Sequence, residues 1–179
     1  MDTCIALFRG INVGGKHILP MKDLARIMEE MGCRKVRTYI QSGNVVFRPG
    51  EQDRNTLAQR ISRKISKIHG FAPKVLLLSA DELKTAMTNT PFPTESGKTV
   101  HLFFLETPSP APDMERIATL KAKSEDFSLH QNVFYLHAPN GIGRSKLAAK
   151  VEQCLDVPVT ARNWNTVKKL LEMVREAET

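Results

Sequence analysis

Residues 75–84, VLLLSADELK, have a counterpart at residues 159–168, VTARNWNTVK, and this pair of segments decides the fold. In each copy an apolar strand pattern leads into a residue that favours a helix N-terminus, Ser79 in the first and Asn163 in the second. Ser79 and Glu82 also have the spacing of a capping box, in which each side chain bonds the backbone N–H of the other residue. The matching order predicts an internal duplication.

A second pair of similar segments supports the duplication. Residues 44–50, NVVFRPG, parallel residues 132–141, NVFYLHAPNG. Each half of the chain shows the order strand, helix, two hairpin strands, helix, strand, which is that of the ferredoxin-like motif. We therefore predict an α+β fold, a tandem duplication of two ferredoxin-like (βαββαβ) units, each with an extra helix. The predicted bounds are residues 1–90 and 98–179, with a linker at 91–97 inside the stretch 89–97, which is rich in Pro, Thr and Gly.

Composition narrows the class of protein. Hydrophobic residues make up 41% and charged residues 25% of the 179-residue chain, as in ordinary globular proteins. No apolar run approaches the roughly 20 residues of a membrane span, and Met1-Asp2-Thr3 lacks the basic start of a secretory signal. The three scattered cysteines argue against a disulfide framework and predict a reducing, cytoplasmic location. The five histidines have no partner at metal-ligand spacing, and no cofactor motif is found, so neither is predicted.

The positive charge is concentrated in the first half. Residues 1–90 hold 15 Lys and Arg against 8 Asp and Glu, whereas residues 91–179 hold 11 of each, and the net charge of the chain is +7. A field of this sign attracts phosphorylated ligands or nucleic acid. The predicted helix 55–69 contributes a basic face, formed by Arg60, Arg63, Lys64 and Lys67.

Residues 9–16, RGINVGGK, form a glycine-rich loop directly after the first predicted strand. Gly10, Gly15 and Lys16 fit the spacing of a phosphate loop. However, His17 stands where magnesium binding requires Ser or Thr, and Pro20 places the helix start several residues after the lysine. The pattern favours a different anion-binding loop, or a simple connection between strand and helix.

The predicted ligand-binding residues lie in four segments of the chain, and their types suit a carboxylate or phosphate. They are Arg9, Gly10, Asn12, Gly14, Gly15 and Lys16 in the loop, Ser42 and Asn44 at the first hairpin turn, Arg144 and Lys146 around the start of a predicted helix at 145–155, and Arg162 and Asn163 at the end of the last strand. The backbone N–H groups at the start of that predicted helix favour an anion beside Arg144 and Lys146. We hypothesise that the loop, the hairpin turn and the last strand converge on one polar cleft. The alternative for each residue is structural, because Ser and Asn are common in turns and Asn is a common helix cap.

Four motifs in this order are familiar together: RGINVGGK with Pro20-Met21, residues 39–47, residues 143–147 and residues 160–167. The chain resembles, essentially end to end, a bacterial family known as domain of unknown function 1697. The resemblance implies two ferredoxin-like halves. It implies no activity, because the family has none to carry over.

Three functional interpretations follow. The first is binding of a small phosphorylated or carboxylated ligand at the glycine-rich loop, with Arg9 and Lys16 supplying any electrostatic catalysis. The second is RNA binding by the basic first half, with Phe8, Tyr39 and Phe47 as stacking rings. The third is a protein-interaction module without a ligand. The sequence alone leaves open whether the protein is an enzyme and what its oligomeric state is.

Overall fold

The first half of the chain forms a four-stranded antiparallel sheet with its first strand in a central position. In the computed structural model, which describes residues 3–51 and 53–178, the strands are β1 (Cys4–Arg9), β2 (Arg34–Tyr39), β3 (Asn44–Arg48) and β4 (Lys74–Ser79). Their order is β2-β3-β1-β4. The helices are α1 (Met21–Glu30), α2 (Arg54–His69) and α3 (Ala80–Thr88).

The second half repeats this arrangement. Its strands are β5 (Val100–Leu105), β6 (Asp126–His130), β7 (Val133–His137) and β8 (Val159–Asn163), in the order β6-β7-β5-β8, again antiparallel. Its helices are α4 (Met114–Leu120), α5 (Val151–Leu155) and α6 (Trp164–Glu178). The described residues thus form two four-stranded antiparallel sheets and six α-helices, which confirms the α+β class.

The core of the first unit lies between its sheet and the helices α1 and α2. Alternate residues of β1, among them Ala6 and Phe8, meet Phe47 of β3 on one face of the sheet. The helices supply apolar residues at helical spacing, which include Leu24, Ile27, Met28, Leu57, Ile61 and Ile65. Burial of this cluster fixes the strand register, since a shift by one residue would turn these side chains away from the helices.

The start of α3 confirms the predicted capping box. The carboxylate of Glu82 accepts the N–H of Ser79 at 2.6 Å, and the hydroxyl of Ser79 accepts the N–H of Glu82 at 3.0 Å. Burial raises the pKa of Glu82, but its hydrogen bonds with Ser79 and Arg54 outweigh burial and the pKa is lowered. The local sequence was sufficient here because both partners of the motif lie within one helical turn.

The end of α6 belongs to the first unit. Its Ala177 carbonyl accepts hydrogen bonds from Lys35 Nζ at 3.1 Å and from an Arg48 guanidinium nitrogen at 2.8 Å. Arg37 and Glu176 form an ion pair at 2.7 Å. Cations at a helix C-terminus are favourable because the last carbonyls carry partial negative charge. Residues of β2 and β3 therefore hold a helix end more than 120 positions away.

The chain divides into two compact units, Met1–Lys84 with Lys169–Thr179 and Thr85–Lys168. These bounds differ from those predicted from the sequence, 1–90 and 98–179. The difference arises because α3 and α6 each contain a unit boundary, whereas sequence patterns place boundaries in loops. Met1, Asp2, Gln52 and Thr179 of the predicted units lie outside the described residues, and Met1 and Asp2 belong to the segment that was expected to lack a secretory signal.

Candidate functional site

The glycine-rich loop is a small hairpin. Val13 and Lys16 form an antiparallel bridge, with the Lys16 N–H bonded to the Val13 carbonyl at 3.0 Å, and the Asn12 N–H bonds the His17 carbonyl at 3.1 Å. Gly14 and Gly15 at the tip have φ values of 57° and 73°. Two successive positive φ values define a type I′ turn, which glycine adopts without steric cost. The turn therefore accounts for both glycines.

Helix α1 is separate from this loop. It begins at Met21, with Pro20 as its N-cap rather than its first residue. The helix N-terminus thus lies five positions beyond Lys16, whereas a phosphate loop needs the helix to start at its lysine. The structure confirms that the loop is not a phosphate loop of this type.

Asn12 fixes the loop to two other segments. Its Nδ2 donates to the carbonyl oxygens of Leu19 and Gln41, each at 2.9 Å, and its Oδ1 accepts the N–H of Leu19 at 2.8 Å. Asn12 itself has φ 54°, a conformation that asparagine tolerates better than most residues. The side chain predicted to bind a ligand therefore has a structural role, and it joins the loop to the β2–β3 turn.

Two positively charged side chains, Arg9 and Lys16, lie at the two ends of the glycine-rich loop. Arg9 ends β1, is half-buried, and lies opposite Lys74 of β4 in the ladder. Lys16 is exposed at the base of the hairpin tip. Beside it, His17 donates from Nδ1 to the Gly10 carbonyl at 3.0 Å and stacks on Phe71 with ring centroids 4.8 Å apart. Arg9 and Lys16 thus place positive charge at the end of β1, on a loop whose backbone is held by hydrogen bonds.

The predicted residues of the first hairpin turn also have structural partners. Asn44 is buried, and its Nδ2 donates to the Tyr39 carbonyl at 3.1 Å and to Ser42 Oγ at 2.9 Å. Ser42 is exposed. Because Asn12 bonds the neighbouring Gln41, the structure brings the turn and the glycine-rich loop together, as the cleft hypothesis requires of these two segments.

The predicted residues of the second unit lie on β8 and on an irregular segment. Arg162 of β8 donates from Nη1 to the Ala161 carbonyl at 2.8 Å, and burial lowers the pKa of its guanidinium to about 10. Arg144 ends a 3₁₀ turn at Ile142–Arg144, and Lys146 is exposed. The convergence of these residues with those of the first unit stays a prediction.

The helix predicted at 145–155 is wrong in its first half. Ser145 Oγ accepts the N–H of Ala148 at 2.9 Å, and a second 3₁₀ turn follows at Ala148–Lys150 before α5 begins at Val151. The Ser145 hydroxyl thus closes a local turn instead of starting a continuous helix. Arg144 and Lys146 therefore lack the helix N-terminus that was expected to favour an anion beside them.

Asn163 is the N-cap of α6, as its alternative structural interpretation predicted. Its Oδ1 accepts the N–H of Thr166 at 2.9 Å. We expect Asn163→Ala to lower the free energy of unfolding by about 1 kcal/mol and Asn163→Asp to retain most of it, because Asp also caps helices. Urea unfolding followed by circular dichroism measures both variants, and equal losses in the two would contradict a capping role.

Two of the three rings proposed to stack on RNA are not accessible. Phe8 and Phe47 have no exposed surface and belong to the core cluster of the first unit. They point toward the helices because they occupy alternate positions of β1 and β3 on the covered face. Tyr39 is half-buried and remains available. Stacking on the sheet by the expected set of aromatic residues is thus excluded.

Sequence reasoning missed one feature of this region. Val13, Ile18 and Ile40 are among the most exposed large apolar residues of the described chain. For Val13 and Ile18 the available signal was an aliphatic residue inside a segment otherwise rich in Gly, Lys and His, whereas Ile40 stood at the end of a predicted strand and gave no such signal. Among the described residues, no group of three His, Cys, Asp or Glu side chains could hold a metal ion, and no helix is long and apolar enough to cross a membrane.

The fold and loop define an α+β protein built from two sheets of the same strand order. A family model described as "Protein of unknown function (DUF1697)" matches residues 1–135. The chain belongs to this family, as its motifs indicated. Comparison with curated proteins gave no match.

A solved structure is also similar to the chain. It is described as the structure of conserved bacterial protein SP0830 from Streptococcus pneumoniae. The similarity covers 97% of this chain and 98% of that one at 23% sequence identity, with a TM-score of 0.66. At this identity the likeness concerns the fold alone.

Proposed function

We propose that this protein binds the phosphate or carboxylate of a small ligand at the glycine-rich loop, residues 9–16. The observation that carries the proposal is the hairpin held by Asn12, which presents the exposed Lys16 beside the end of β1. Residues 3–22 contain Arg9, Lys16 and Lys22 but no Asp or Glu. A bound anion therefore meets fixed positive charge without a competing carboxylate from this segment.

We also propose that each unit has the ferredoxin-like fold and that the chain arose by duplication. The support is that the first strand of each half lies between the third and fourth, and that all neighbouring strands are antiparallel in both sheets. The identical order in both halves favours one repeated unit over two unrelated ones. Cys4, Cys33 and Cys154 are buried and form no disulfide, which supports a reducing, cytoplasmic location.

The ligand proposal predicts a thermal shift that depends on Lys16 and Arg9. A panel of nucleotides, sugar phosphates and acyl carboxylates is added to wild-type protein, Lys16→Ala, Arg9→Ala and the control Lys98→Ala, whose lysine is exposed in the second unit. A ligand present at about 100 times its Kd stabilises wild type by about 2.7 kcal/mol. Losing one charged hydrogen bond weakens binding by about 10-fold to 100-fold.

The control separates a local effect from a general effect of charge. Lys98→Ala removes one positive charge and should keep the full shift, whereas Lys16→Ala and Arg9→Ala should lose most of it. Ligand binding that is unchanged in both loop variants would sink the proposal. Arg9 is half-buried, so the stability of its variant without ligand is measured first.

RNA binding is the second candidate, and one observation favours it. Helix α2 exposes Arg60, Arg63 and Lys67, while Lys64 pairs with Glu30 at 3.7 Å. Short RNA is therefore included in the same panel. A shift that falls steeply with salt and disappears in Arg63→Glu with Lys67→Glu would assign RNA to this helix instead.

A further inference from the structure

The glycine-rich loop is surrounded by exposed aliphatic side chains. Val13 is 66%, Ile18 57% and Ile40 50% exposed. Each lies next in sequence to Asn12 or to one of its two bonded partners, Leu19 and Gln41. Because consecutive Cα atoms are only about 3.8 Å apart, the backbones of these three residues lie close to Asn12 and its two bonded partners. We call Val13, Ile18 and Ile40 the loop patch.

The loop beside this patch is open to solvent. A Cβ added at Gly10, Gly14 or Gly15 would meet no atom within 4 Å. The hairpin tip is therefore convex: it can offer positive charge to a small anion, but a small molecule would leave the apolar side chains beside the tip uncovered. A convex apolar surface is better covered by a macromolecule, which can fold around it.

In the two sequence segments that form the patch, the charged residues are all positive. Residues 3–22 and 31–50, which include the loop and both strands of the first hairpin, contain no Asp or Glu. Arg37 of this hairpin is paired with Glu176, and Lys35 and Arg48 bond Ala177. Lys16 is exposed within the loop itself, and Arg9 is half-buried at its start. Complementarity thus favours a partner with carboxylates.

Ile40 adds an independent argument. It has φ 48°, in the left-handed region that is a genuine outlier for a β-branched residue. An exposed isoleucine in this conformation lowers the stability of the fold in two ways, because its backbone is strained and its apolar side chain stays in water. Such a residue is consistent with a role in binding rather than in stability.

We propose that the loop patch docks an acidic polypeptide segment of a partner protein. Apolar side chains of the segment cover Val13, Ile18 and Ile40, and its carboxylates meet Lys16 and Arg9. This inference rests on the anion preference proposed above and assigns the anion to a protein partner.

Selection from a displayed library of linear peptides, with the full chain as bait, tests the proposal. The selected peptides should carry a net negative charge together with aliphatic or aromatic residues. Their Kd should rise about tenfold or more in Val13→Ser with Ile18→Ser and in Lys16→Glu. The control Met114→Ser alters an exposed apolar residue of the second unit and should leave the Kd unchanged.

Ile40→Asn separates binding from folding. Asparagine tolerates the left-handed conformation, so this variant should have a higher melting temperature than wild type but a weaker affinity for the selected peptides. A merely destabilised protein could not give this combination. Unchanged affinity in Ile40→Asn would remove Ile40 from the patch.

The outcomes distinguish this inference from the proposed function. Suppose that small anions bind through Lys16 but that peptide affinity does not change in Val13→Ser with Ile18→Ser. This result would overturn the docking inference and leave the proposed anion site intact. Peptides that depend on the patch but not on Lys16 would overturn the acidic partner. A library that yields no enrichment over beads without bait would also overturn the inference.

Discussion

Gly43→Ala is expected to lower the free energy of unfolding by about 3 kcal/mol, as the sum of backbone strain and overpacking. Gly43 lies in the turn before β3 with φ +79°, where a Cβ costs about 1–2 kcal/mol. That Cβ would also lie 2.6 Å from Phe8 Cβ and 2.7 Å from Ile11 Cδ1. Phe8 and Ile11 are buried and cannot move without disturbing the core.

Gly14→Ala is the matched control for this prediction. Gly14 also has a positive φ, +57°, but no atom lies within 4 Å of the added Cβ. Its variant should therefore lose only the conformational part, about 1–2 kcal/mol. Urea unfolding followed by circular dichroism gives both values. Equal losses in Gly43→Ala and Gly14→Ala would mean that the turn relaxes and that Phe8 does not restrict it.

Asn12→Ala is expected to lower the free energy of unfolding by about 3–4 kcal/mol. It removes three hydrogen bonds, each with a net value of about 0.5–1.5 kcal/mol, and places alanine at φ 54°. The N–H of Leu19 loses its acceptor, and Leu19 is buried. Hydrogen exchange at the Leu19 amide should therefore accelerate as well.

Two further variants divide the contributions of Asn12. Asn12→Gly removes the hydrogen bonds but relieves the strain, so it should lose less stability than Asn12→Ala. Asn12→Asp keeps an acceptor for the Leu19 N–H and loses both donated bonds. If the Leu19 amide exchanged hydrogen at the same rate in Asn12→Gly as in wild type, the Asn12 side chain would not be what holds the loop in place.

Local parts of the fold could be predicted from the sequence, because their partners are close along the chain. The Ser79 capping box and the Asn163 cap each depend on residues within one turn of a helix. The ferredoxin-like order of elements predicted for each half implies a central first strand, and the observed sheet order has one.

Other parts depend on distant contacts that no local pattern contains. The Asn12 side chain donates a hydrogen bond to the carbonyl of Gln41, 29 positions away. A residue whose type suggests ligand binding therefore has a structural role that depends on the fold. The exposure of Val13, Ile18 and Ile40 depends on which surfaces the folded unit covers. A local contact also changed one prediction: in the helix predicted at 145–155, Ser145 bonds the N–H of Ala148 and the first half forms a 3₁₀ turn instead.

The hydrogen bonds from Lys35 and Arg48 to Ala177 have a consequence for biosynthesis. They join residues of the first hairpin to a carbonyl made more than 120 residues later. During translation, the nascent first unit therefore emerges from the ribosome without the helix end that completes it. Its final consolidation must wait until residues 169–178 have been synthesised, so native assembly of the first unit follows synthesis of the entire second unit.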